Sequence, residues 1–189
     1  AGPRILVLEP LASSFVGSAT PRLRVTYYAD GPMDLASFRA KVDGSDRTTL
    51  FSVGPREASA TVDTLGEGAH RLEVNLSDAT GKAAQAAATF TVDTRPPQVA
   101  VTDPSDGSPT ADLVDVRGAV TDSSPVTVTV NGTQAAVDGP SFRAPGVRVE
   151  NARLLVVARD AAGNRSTREL KLNVQREAPV VRITSPLAG

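Results

Sequence analysis

Apolar and polar residues alternate along much of the chain. Leu23, Val25 and Tyr27 take every second position, as do Val126, Val128 and Val130, and again Leu170, Leu172 and Val174. Polar residues fill the gaps, for example Thr127 and Thr129, or Lys171 and Asn173. Successive side chains of a strand point to opposite faces, so a period of two predicts antiparallel strands with one buried face. Asp-Gly and Asn-Gly pairs and Asp-x-x-Gly turns separate the runs. Asn131-Gly132 predicts a two-residue hairpin, because both residues tolerate positive φ. Ala83 to Ala88 has helical propensity, yet Phe90 and Val92 continue its alternation, and strand is predicted there too.

The alternating runs belong to a repeat. Pro3-Arg-Ile-Leu-Val-Leu-Glu-Pro10, Pro97-Gln-Val-Ala-Val-Thr-Asp-Pro104 and Pro179-Val-Val-Arg-Ile-Thr-Ser-Pro186 share one pattern, with prolines seven positions apart. Proline lacks a backbone donor and sits at strand ends and edges, so each segment predicts a short first strand. Later in each unit, Leu72-Glu-Val74-Asn-Leu76-Ser-Asp78-Ala-Thr-Gly81 corresponds to Leu154-Leu-Val156-Val-Ala158-Arg-Asp160-Ala-Ala-Gly163. Val42-Asp43-Gly44 corresponds to Val130-Asn131-Gly132. Three anchors in the same order predict two equivalent units, 1–94 and 95–177, with 178–189 opening a third. About seven short strands in roughly 85 residues fit a β-sandwich. The fold expected is all-β: two tandem immunoglobulin-like β-sandwich domains joined by a short Pro-rich linker. That linker is Val92-Asp-Thr-Arg-Pro96-Pro97, whose proline pair restricts φ and favours an extended path holding the domains end to end.

Composition narrows the chemistry. The 189 residues carry a formal net charge of −1, which gives no basic field for nucleic acid. No apolar run reaches the length of a membrane-crossing helix, so membrane insertion is not expected. Cysteine is absent, which excludes disulfides and thiolate chemistry. The three lysines (Lys41, Lys82, Lys171) are a small part of 20 basic residues. Histidine occurs once, at His70. By alternation it shares a face with Leu72, Val74 and Leu76 and covers the edge of the core. No second imidazole exists to build a nucleophile–base pair, and most of the 21 acids fall in turns rather than facing one another across a cleft. No catalytic residue is assigned and no enzyme activity is expected.

Residues 96–177 resemble the bacterial Ig-like repeats of secreted hydrolases and giant adhesins. The matching pieces are Pro97 to Gly107, Gly118-Ala-Val-Thr-Asp122, Val126 to Gly132, Ser141-Phe142 and Ala158-Arg-Asp160-Ala-Ala-Gly-Asn164. The first unit is similar in its later strands, but Lys82 stands where Asn is usual, and Asp30 to Ala60 is longer and matches poorly. The resemblance implies the sandwich fold and a bacterial extracellular, cell-surface or periplasmic setting. It also implies that the N-terminus, the Asp122 loop and the Asp160 loop share one end of the second unit. Asp93, Asp122 and Asp160 can then converge at the domain junction, joined by Asp43 or Glu67. Such oxygen ligands suit Ca²⁺, and junction calcium occurs in adhesins with similar repeats. The competing reading is turn chemistry, in which Asp160 accepts backbone N–H bonds across its own turn while Gly163 supplies positive φ.

Three functions follow. The leading one is a non-catalytic spacer or adhesion module of a larger bacterial protein, with neighbouring Ig-like domains as its partners. The second is a carbohydrate- or ligand-binding accessory module of a secreted hydrolase, for which Tyr28 is the candidate exposed ring and a glycan or surface protein the partner. The third is a self-assembling subunit that adds its C-terminal strand, 178–189, to a neighbouring sheet edge.

Overall fold

The computed structural model describes residues 2–175. The segment 178–189, read from sequence as the start of a third unit and as a self-assembly strand, lies outside them. The described residues form strands and one 3₁₀ turn, Thr48–Leu50. No helix among them is long and apolar enough to cross a membrane. The chain divides into two compact units: residues 1–97 with 122–126 and 159–166, and residues 98–121, 127–158 and 167 onward.

The first unit contains β1 (Arg4–Glu9), β2 (Phe15–Val16), β3 (Arg22–Tyr28), β4 (Met33–Val42), β5 (Ser45–Asp46), β6 (Ser52–Val53), β7 (Glu57–Thr61), β8 (Gly68–Asp78) and β9 (Ala83–Val92). They form two sheets, β1-β3-β7-β6 and β2-β9-β8-β4-β5. The alternation works as the sequence predicts. Leu23, Val25 and Tyr27 of β3 and Leu72, Val74 and Leu76 of β8 turn inward from opposite sheets into one core. Each such side chain contributes about 1.5–3 kcal/mol when fully buried. Tyr27, Phe38 and Phe51 form a chain of tilted rings, with centroids 6.5 and 5.3 Å apart. The Tyr27 hydroxyl is shared between Glu57 O, at 3.1 Å, and Gly54 O. Burial, reinforced by the Glu57 charge, holds the phenol above its ordinary pKa.

The rest of the chain contains β10 (Gln98–Asp103), β11 (Pro109–Thr110), β12 (Leu113–Thr121), β13 (Val126–Val130), β14 (Thr133–Gln134), β15 (Ala136–Asp138), β16 (Ser141–Arg148), β17 (Arg153–Asp160), β18 (Arg165–Lys171) and β19 (Asn173–Val174). The topology repeats: β10-β12-β16-β15 and β14-β13-β17-β18, with a small β11-β19 pair. Val116, Phe142 and Ala144 are buried on one sheet, and Val128, Val130, Leu154, Val156 and Ala158 on the other.

The proline-bracketed strands are β1 and β10, and the Glu9–Pro10 and Asp103–Pro104 peptide bonds that end them are both cis. Beyond that point each repeat makes a short parallel pair: β2 with β9 through Phe15↔Thr91, and β11 with β19 through Pro109↔Asn173. The Asp/Asn-Gly turns are also equivalent. Asp43 and Asn131 have φ of 52° and 46° and close the β4–β5 and β13–β14 hairpins. Each turn residue exchanges two bonds with the neighbouring strand. Asp43 N donates to Arg71 O while Asp43 Oδ1 accepts from Arg71 N; Asn131 N donates to Leu155 O while Asn131 Oδ1 accepts from Leu155 N. Both halves of the chain are therefore built on one immunoglobulin-like strand plan.

Candidate metal centre

Three aspartates from three separate segments converge within the first compact unit. Asp93 follows β9, Asp122 follows β12, and Asp160 ends β17. One carboxylate oxygen from each lies within 4.8 Å of the others. Asp93 is 1% exposed and Asp160 6% exposed, whereas Asp122 is half-buried.

Each loop first satisfies itself. Asp122 Oδ1 accepts from Ser124 N and from Ser124 Oγ, both at 2.8 Å. Asp160 Oδ1 accepts from Asn164 N at 2.7 Å, and Gly163 takes φ of 94° in the turn between them. Asp93 Oδ2 accepts from Ser123 Oγ at 3.1 Å, which draws the Asp122 loop to the end of β9. Asn164 ties in the third segment, its Nδ2 lying 2.7 Å from Asp93 O and 2.8 Å from Asp160 Oδ2. Gly17 packs so closely on this loop that a Cβ there would stand 2.8 Å from Ala162 O. All of these donors are neutral. Burying like charges side by side is unfavourable without a compensating cation.

The equivalent turn in the first repeat is a natural control. Asp78 Oδ1 accepts from Thr80 N, Thr80 Oγ1 and Lys82 N, and the backbone bonds Asp78 N to Lys82 O and Gly81 N to Asp78 O recur at Asp160. Turn chemistry thus accounts for an aspartate at position 160. What it does not account for is the arrival of Asp93 and Asp122 beside it. The set is all oxygen, which matches a hard divalent cation.

Asp43 and Glu67, either of which was expected to join the set, stand outside this trio. Asp43 is engaged by His70 and Arg71 N, and Glu67 accepts from Thr94 N at 3.1 Å and from Thr94 Oγ1. They sit in loops of the same unit, but local donors on β8 and after β9 capture their carboxylates. Ser123 and Gly17 carry no motif and were not legible as parts of the site.

Tyr28 is 52% exposed and lines a depression of about 550 Å³ with Pro32, Met33, Leu35 and Arg56. Phe38, Phe51, Phe90, Phe142 and Tyr27 are buried. His70 lies at the core edge against Phe90, with ring centroids 5.8 Å apart.

Comparison with known proteins bears on the fold. Residues 97–176 match the family model of Glucodextranase, domain B. The chain is 30% identical over 169 residues to Bacillopeptidase F of Bacillus subtilis (strain 168), a match taking in 87% of this chain and 11% of that protein. Among solved structures it superposes on the fibronectin(III)-like modules of Clostridium thermocellum CbhA with a TM-score of 0.57 at 15% identity, over 94% of this chain and 100% of that one. A three-Ig structure of titin domains gives a TM-score of 0.50 at 12% identity, over 92% of this chain and 66% of that one. The fold is immunoglobulin-like, and its relatives include segments of bacterial hydrolases.

Proposed function

We propose that this chain is a non-catalytic accessory segment of a larger bacterial extracellular protein, where Ig-like sandwiches space or support a catalytic or adhesive part. The observation that carries this reading is the duplication of one strand plan. The comparisons support it: Bacillopeptidase F is matched over 11% of its length, as an appended segment would be, and the family match is to a single domain of a glucodextranase. Its immediate partners in this reading are neighbouring Ig-like domains of the same polypeptide.

In the same reading the Asp93–Asp122–Asp160 trio takes a Ca²⁺ ion that fixes the three segments together. Extracellular calcium modules bind at roughly 10⁻⁴–10⁻³ M, so about 10 mM Ca²⁺ is expected to stabilise the fold by about 1–3 kcal/mol. The test is a melting curve with and without Ca²⁺, on the wild type and on Asp122→Asn. The variant keeps the Oδ1 acceptor for Ser124 N, so it should fold and lose only the calcium response. An unchanged melting temperature in the wild type, with no heat of binding by calorimetry, would remove the cation from the reading.

A second reading, carbohydrate binding, is favoured by the exposed Tyr28 ring in its depression beside Arg56. A ring face can stack on a sugar while the guanidinium meets hydroxyls. Binding to a glycan array that disappears in Tyr28→Ala is the expected result, and an array blank for the wild type would exclude it.

A further inference from the structure

His70 makes two hydrogen bonds that no neutral imidazole can make together. Its Nδ1 lies 2.7 Å from Asp43 Oδ2, and its Nε2 lies 2.8 Å from Gly66 O. A carboxylate and a backbone carbonyl both accept only. Neutral imidazole has one N–H, so one ring nitrogen would direct its lone pair at an oxygen; imidazolium donates from both. The site is built to hold that form. The His70 side chain is 12% exposed and rests on Phe90. Asp43 is itself fixed by Arg71 N, which donates to Oδ1 at 2.8 Å.

The bond to Gly66 reaches further than the ring. Glu67, the next residue, accepts from the backbone N and the hydroxyl of Thr94. Thr94 follows Asp93, whose own N donates to Val16 O at 3.0 Å. One continuous set of bonds therefore runs from the β4–β5 turn through the imidazole and the 63–67 loop to the residues that leave β9.

We infer that His70 is a pH-sensitive latch: as imidazolium it bolts the 63–67 loop to the Asp43 turn and, through Glu67, fixes Thr94 at the start of the 93–97 segment. Deprotonation removes one of the two bolts and loosens that segment. The charged groups around the ring agree with this. Asp43 faces it from the β4–β5 turn. On the 63–67 loop Glu67 is committed to Thr94, and Asp63 lies 3.5 Å from Arg47. On β8, Arg71 points away and meets Glu73 at 3.0 Å. Opposite on β9 stands the uncharged Phe90. Burial lowers the imidazole's affinity for its proton, but the bonds to Asp43 and Gly66 and the Asp43 charge outweigh it, so the pKa is raised above 6.5, while Asp43 is lowered. A raised histidine stabilises the fold fully below the unfolded value of about 6.5, and that stabilisation is lost as pH rises through the folded value.

Because this is the only histidine in the chain, its NMR titration is unambiguous. The wild type is expected to show both ring nitrogens protonated at about pH 6 and an imidazole pKa above the model-peptide value. Hydrogen-exchange protection of the Thr94 amide, corrected for intrinsic rates, should fall roughly tenfold or more across the same titration. Asp43→Asn should lower the imidazole pKa, and Glu67→Ala should leave the His70 titration in place but uncouple Thr94 from it. A single protonated ring nitrogen at that pH, a pKa at or below the model value, or Thr94 protection that ignores the titration would each overturn the latch. All three are read on the wild type and do not depend on any variant folding.

Discussion

Gly118 shows how tightly one position can be specified. It lies on the buried face of β12, and a Cβ built there would meet Ala100 O at 2.2 Å and the Phe142 ring at 2.4 Å. The obstacle is strand backbone on one side and a ring 3% exposed on the other, so neither can swing clear. Gly118→Ala, a change of one methyl group, is therefore expected to destabilise the fold by about 1–3 kcal/mol through overpacking. Urea denaturation would read this as a lower midpoint with an unchanged slope. A midpoint equal to the wild type would mean that Phe142 can move. Neither composition nor periodicity marks this glycine as different from the others, because the constraint comes from strands β10 and β16. His70 teaches the same lesson. Its place at the core edge followed from alternation, whereas its pairing with Asp43 joins residues 27 apart in sequence.

At the scale of elements, legibility tracked regularity. Strands β3, β8, β9, β13 and β17 were readable because ladder pairing preserves a period of two over five to eleven residues. The alanine-rich β9 was readable for the same reason, with its inward positions Ala88, Phe90 and Val92 buried. Strand β4 was not, since its pairing with β8 shifts register between Asp34 and Arg39 and so breaks the alternation. The 3₁₀ turn at Thr48–Leu50, held by Thr48 N donating to Asp46 Oδ1 at 2.8 Å, adds a segment with no counterpart in the repeat anchors. That is why Asp30 to Ala60 matched poorly. The strands β2 and β11 have two residues each, too few to carry a period. The three clustered aspartates were legible for a different reason: the resemblance to Ig-like repeats places the end of β9, the Asp122 loop and the Asp160 loop at one end of a sandwich, and their carboxylates do come within 4.8 Å of one another. The bonds that cross between the segments, from Ser123 Oγ to Asp93 Oδ2 and from Asn164 Nδ2 to Asp93 O, depend on side-chain geometry that a linear pattern does not encode.

For the molecule as a whole, the compact units cut across the repeats. Residues 122–126 and 159–166 cluster with the segment up to Pro97, so the first unit draws two of its three acids from far along the chain. A fragment ending at Pro97 keeps Asp93 but lacks Asp122 and Asp160. It also loses the Ser123 bond to Asp93 Oδ2 and the Asn164 bond to Asp93 O. At about 1 kcal/mol for each such bond, the fragment should be less stable than the same unit in the full chain by about 2 kcal/mol. Its melting temperature should also be indifferent to Ca²⁺, while the full chain responds. A fragment that matches the full chain in both stability and calcium response would show that Asp122 and Asp160 take no part, and would move any cation binding to the acids that the first repeat holds on its own. A fragment that is merely less stable, with its calcium response intact, would separate the two roles: the loops would brace the end of β9 without supplying ligands.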